Sequence, residues 1–131
     1  MRLTTLKELE WMHDSVVSSI VYDASASGGC RELRISMTCP SDLGYEPWAG
    51  KSVVLVATDV AALTQTVWGW VTAAETIDAI RPGVSAAFQK RTMPARKQGA
   101  RYPELEFTAS FHSGSVLEVI CKDLQVRVEG G

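Results

Sequence analysis

Between Leu105 and Val128 apolar and polar residues alternate with a period of two, the signature of a strand with one buried and one wet face. Leu105, Phe107, Ala109 and Phe111 form the apolar set of a first arm, against Glu106, Thr108, Ser110 and His112. Ser113-Gly114-Ser115 follows, with the glycine able to take the positive φ of a tight turn. In the second arm Leu117, Val119 and Cys121 share one face, and the alternation resumes as Leu124, Val126 and Val128. The two runs have opposite parity, so a bulge or bend is expected at Lys122-Asp123.

A second hairpin is expected over residues 16–38. Val16 to Tyr22 is rich in β-branched residues, with Val17, Ser19 and Val21 on one face and Ser18, Ile20 and Tyr22 on the other. Small and polar residues from Ala24 to Gly29 mark a turn, after which Leu33, Ile35 and Met37 alternate inward. Pro40 to Gly50 reads as a loop anchored by Tyr45 and Trp48. The apolar run Val53-Val54-Leu55-Val56 then suits a strand covered on both faces.

Helical signals are fewer. Thr5 and Glu8 have capping-box spacing, and Leu6, Leu9 and Met12 recur every three residues, which predicts a short helix from Thr5 to Met12. Residues 60–80 are ambiguous. Val60, Leu63, Val67, Trp70, Ala74 and Ile77 would suit one long helix, yet Thr64 to Thr72 is β-rich and contains Gly69. The segment is divided into a strand near Leu63–Trp70 and a helix near Ala73–Ile80, ended by Pro82-Gly83. Arg91 to Pro103, with two prolines and a glycine, is expected to be a mobile loop. The fold class is therefore α+β, mainly an antiparallel β-sheet or sandwich with one or two short helices, in a single domain spanning 1–131.

Composition fits a folded soluble chain, with 46% hydrophobic and 21% charged residues among 131. The most apolar window, Val53 to Leu63, is broken by Thr58 and Asp59 and is too short to cross a bilayer. No apolar secretory stretch follows Met1-Arg2-Leu3, and three cysteines fit a reducing compartment, so a cytosolic location is expected. Cys30 and Cys39 flank an expected strand whose ends lie roughly 30 Å apart at about 3.3 Å per residue. That span is far beyond the ~4.4–6.8 Å of a disulfide.

Charge is unevenly placed. Between Asp78 and Glu104 there is no acid, while Arg81, Lys90, Arg91, Arg96, Lys97 and Arg101 supply six positive charges. The other residues hold 7 basic against 15 acidic side chains, a formal −8. One basic segment thus sits on an acidic body and would attract an acidic protein surface or phosphate. It lacks the interleaved aromatics on which single-stranded nucleic acid stacks, which disfavours a nucleic-acid partner.

His13-Asp14-Ser15 contains the residue types of a hydrolase triad, but neighbours in sequence point in different directions and cannot form one. No CxxC, HxxxH or HExxH spacing offers a metal site, and no glycine-rich phosphate motif is present, so neither a metal nor another cofactor is expected. Glu104 and Glu106 share a polar strand face and read as solvated. Trp68 and Trp70 share one face if their segment is a strand, and an exposed pair would suit a partner.

Met12-His13-Asp14-Ser15-Val16-Val17, a strand ending Val21-Tyr22-Asp23, and the closing run Ser113-Gly114-Ser115-Val116-Leu117-Glu118-Val119-Ile120-Cys121 together make a pattern. It resembles small bacterial immunity-type proteins of polymorphic toxin systems and related uncharacterised proteins, over roughly a third of the chain. The resemblance implies a non-enzymatic binder that masks a toxin and has no catalytic residues. Arg91, Arg96, Lys97, Trp68 and Trp70 are the candidate contacts. The alternative is a small ligand-binding protein or enzyme with a pocket between sheet and helix, His13 or His112 and a carboxylate standing at its mouth. A homodimer that buries its tryptophan face is a third arrangement.

Overall fold

The computed structural model describes residues 6–26, 30–66, 75–97 and 105–129. Among the described residues eight strands occur in chain order: β1 (Val16–Ala26), β2 (Cys30–Thr38), β3 (Ser52–Thr58), β4 (Ala62–Thr66), β5 (Glu75–Pro82), β6 (Leu105–Phe111), β7 (Val116–Cys121) and β8 (Asp123–Glu129). A 3₁₀ helix, Lys7–Met12, precedes them, and an α-helix, α1 (Ala86–Lys97), lies between β5 and β6. Every ladder is antiparallel, in the order β4-β7-β6-β5-β1-β2-β3-β8, so the chain is an α+β protein built on an antiparallel sheet.

This order closes on itself. β3 leads into β4 through Asp59-Val60-Ala61, and β7 leads into β8 through Lys122. β3 pairs with β8 while β4 pairs with β7, so two long bent strands lie side by side around a shared corner. Backbone bonds carry the ladder across it: the Ala61 N–H donates to the Ile120 carbonyl (2.8 Å) and the Lys122 N–H to that of Thr58 (3.2 Å). With β1 joined to β5, the strands form a six-membered ring, an arrangement that abolishes most free edges. The β1–β5 seam is short, with Val16 opposite Thr76 and Val17 opposite Glu75. It is extended by the Ile77 N–H donating to the Ser15 carbonyl (2.9 Å) and the Asp14 N–H donating to that of Ile77 (2.7 Å).

The ring is filled by one apolar cluster drawn from all sides. Leu33, Ile35, Met37, Val53, Leu55, Leu124 and Val126 meet Ile77, Ile80, Phe107, Ala109, Phe111, Leu117, Val119 and Cys121. Each such Leu, Ile, Val or Phe contributes about 1.5–3 kcal/mol by leaving water. The alternation of residues 105–126 is realised as expected, and the bend falls at Lys122, after which β8 leaves β6–β7 to pair with β3. Val128, placed inward by parity, is exposed at the strand's end. Val53 to Ala57 are buried on both faces, as a covered strand requires.

Two expectations about periodicity are corrected, both by bulges. A helix was expected near Ala73–Ile80, but its described part, from Glu75, belongs to strand β5. A register shift between Ile77 and Ala79 inserts Asp78, so Ile77 and Ile80 both face the core although three residues apart. That spacing imitates a helix. In β1 a shift between Val17 and Ser19 inserts Ser18, so Val17 is buried and Ile20 joins the core while Val21 is exposed. β4 begins at Ala62 and covers the start of the expected Leu63–Trp70 strand.

The N-terminal helix is a 3₁₀ helix, with the Leu9 N–H bonded to the Leu6 carbonyl (3.2 Å) and the His13 N–H to that of Glu10 (3.5 Å). A strict three-residue apolar repeat fits three residues per turn, placing Leu9 and Met12 together in the core. Leu6 precedes it without a side-chain cap bond, and Thr5 of the expected capping box lies outside the described residues. The loop over 40–50 is anchored as expected. Trp48 is buried and meets Tyr45 edge to face, with centroids 4.7 Å apart.

Candidate functional site

The expected loop over Arg91–Pro103 is corrected over its described part, because residues through Lys97 belong to α1. Ser85 caps the helix, its Oγ accepting the Phe88 N–H (3.2 Å), while the Gln89 N–H donates to the Ser85 carbonyl (3.0 Å). Pro82-Gly83 ends β5 rather than a helix, with Gly83 at φ 90. Pro94, which suggested a loop, falls in the last turn, and Pro103 lies outside the described residues.

α1 is fastened to the outer face of β6 and β7 at its first turn. The Ser85 N–H donates to Glu118 Oε1 (2.6 Å), Gln89 Nε2 to Glu106 Oε2 (3.2 Å), and the Thr108 hydroxyl to the Gly83 carbonyl (2.7 Å). Both carboxylates sit where the helix dipole favours negative charge. Glu106, expected on a solvated face, is instead half-buried and used in fastening the helix, and Glu104 lies outside the described residues. Phe88 is buried against this face, and the Arg91 guanidinium lies 5.7 Å from its ring centroid.

The helix sequence, AAFQKRTMPARK, has no acid. Lys90 and Arg91 are exposed on it, and no described ion pair engages either. Arg96 and Lys97 follow in its last turn, their side chains outside what is described. Trp68 and Trp70 lie outside the described residues, so of the candidate contacts the fold brings Arg91, Arg96 and Lys97 onto one element.

A second polar cluster gathers both histidines of the alternative reading with two carboxylates from separate segments. His112 Nε2 lies 3.5 Å from Asp14 Oδ1 and 3.9 Å from Asp78 Oδ1, and His13 Nδ1 is 3.3 Å from Asp14 Oδ2. Asp14 holds φ 64, a left-handed backbone that Asp tolerates better than most residues, and the β5 bulge turns Asp78 outward. The His112 N–H donates to the Thr76 carbonyl (2.9 Å), which sets the imidazole over the β1–β5 seam. These side chains are half-exposed or more, and hold neighbouring strands together through screened contacts.

Ser15 does not join them. It is buried, its hydroxyl donating to Cys39 Sγ (3.4 Å), while His13 and Asp14 are exposed, so adjacency fails to make a triad for the reason of direction. Among the described residues no group of three His, Cys, Asp or Glu side chains is placed to hold a metal ion. Cys39 and Cys121 are free and buried. Burial pushes the Cys39 thiol up, against the Ser15 hydrogen bond. Burial, helped by the Asp123 charge, pushes that of Cys121 from 9.0 to about 12. Neither is poised as a nucleophile.

No helix of the described residues is long and apolar enough to cross a membrane. No family model, no curated protein and no solved structure matches this chain.

Proposed function

We propose that this chain is a non-enzymatic protein-binding domain that docks an acidic protein surface through α1, with masking of a cognate toxin by an immunity protein as its most concrete form. The observation that carries the reading is an acid-free helix fastened outside the barrel, with Lys90 and Arg91 exposed and Arg96 and Lys97 following in its last turn. A helix pinned at its first turn presents its cations at small entropic cost, and such charge chiefly governs association rate and specificity. The toxin-masking form draws on the likeness of the chain's two ends to immunity-type proteins and on the charge of α1.

Affinity capture from the native host, followed by calorimetry with the recovered partner, tests the reading. Reversal of Lys90, Arg91, Arg96 and Lys97 to Glu is expected to weaken binding roughly tenfold or more at low salt while leaving the melting temperature in place. Unchanged affinity for that partner would refute the α1 site.

A further inference from the structure

A different face of the molecule carries the complementary chemistry. Trp11, at the end of the 3₁₀ helix, is 38% exposed and stacks on Tyr45 with centroids 5.8 Å apart and planes 20° apart. Tyr45 rests in turn against buried Trp48. Glycine at 44 lets the rings settle, since a Cβ there would come within 3.1 Å of Trp11 Cζ3. An aromatic pair supported from beneath and open on one side is preorganised. The exposed carboxylates of Glu10, Asp42 and Glu46 lie beside these rings in sequence, with Lys7 and Lys51 as the nearby cations. Exposed stacked aromatics on a stretch that carries more exposed carboxylates than cations favour a guanidinium or ammonium group, and Trp, Tyr and Arg are the residues that dominate interface energies.

The same chain offers such cations on α1. It does not offer them to its own aromatic face. α1 is tied at its first turn to Glu106, near the start of β6, whereas His112, just past the other end of β6, meets Asp14, two residues beyond the 3₁₀ helix. Six strand steps separate residues 106 and 112, roughly 20 Å at about 3.3 Å per residue. The basic and acidic faces thus sit toward opposite ends of the barrel.

We infer that this chain associates head to tail with itself, α1 of one copy seating Lys90 and Arg91 on the Trp11–Tyr45 face of the next. The inference rests on the reading of α1 as a docking helix. Two different patches meet, so the contact is heterologous and propagates to a ring or an open row rather than stopping at a two-fold dimer.

Sedimentation velocity of the full chain tests it by complementation. The wild type is expected to grow in mass with concentration at about 0.01 M salt and to return to a single chain near 1 M, where charge is screened within about 3 Å. K90E/R91E, lacking the basic face, and Trp11→Ala, lacking the aromatic face, are each expected to stay single. Mixed in equal amounts, they retain one intact face of each kind and should form a one-to-one pair that grows no further. Glu46→Lys, on an exposed loop position, replaces Trp11→Ala if that variant fails to fold. A wild type that stays single at low salt, a mixture that does not pair, or association indifferent to K90E/R91E would each overturn the inference. Trp11→Ala should keep the captured acidic partner, whereas K90E/R91E should lose it, so the two readings fail separately.

Discussion

Cys121 sets how this protein responds to alkali. Its side chain lies in the barrel core opposite Leu105, where burial and the Asp123 charge hold the thiol protonated up to about 12. In the unfolded chain the same thiol ionises near 9.0. The folded state therefore keeps a proton that the unfolded state releases, and stability falls as pH rises between those values. Below 9 the contribution is complete; three decades of proton affinity at about 1.4 kcal/mol each make it about 4 kcal/mol in all. By about pH 11 roughly 3 kcal/mol of this has gone, a large share of the about 5–15 kcal/mol by which domains are stable.

Cys121→Val, close in volume and without a titrating group, isolates the effect. Urea unfolding followed by circular dichroism should show the variant within about 1.5 kcal/mol of wild type near neutral pH. Near pH 11 the wild type should lose roughly 3 kcal/mol relative to it, the other titrations cancelling between the two. Parallel stability curves for wild type and variant from neutrality to pH 11 would refute the assignment of a buried, protonated thiol.

Two further substitutions test packing and the seating of α1. Phe107→Ala removes a fully buried ring from the barrel and should cost about 3–5 kcal/mol in denaturant unfolding; a cost under about 1 kcal/mol would mean the interior collapses around the gap. Ser85→Ala deletes the hydroxyl that accepts the Phe88 N–H and should cost about 1 kcal/mol, with amide exchange quickened first at Phe88; unchanged protection there would place the cap elsewhere.

Strands that alternate cleanly were readable from sequence because one buried face dictates period two. Leu33, Ile35 and Met37, and the run from Phe107 to Phe111, are of this kind. β5 imitates a helix because the bulge at Asp78 spaces Ile77 and Ile80 three residues apart, and nothing local distinguishes a bulge from a turn of helix. α1 leaves little helical signal because its buried anchor, Phe88, is one residue in a basic stretch with a proline, and its hold on the barrel comes from Glu106 and Glu118, distant in sequence. The basic character of the candidate site, including Arg91, Arg96 and Lys97, is legible in the placement of charge along the chain. The Trp11–Tyr45 stack and the cluster around Asp14 depend on long-range closure, which no local pattern carries.

The pairing of β3 with β8 also bears on how the chain is made. β3 is apolar on both faces from Val53 to Ala57, and one of its edges is completed by residues 123–129. During synthesis that edge waits for some sixty more residues, an open, sticky strand of the kind that recruits other chains. Ribosome-bound nascent chains ending before β8 should accordingly engage chaperones or aggregate, while those that include it should not.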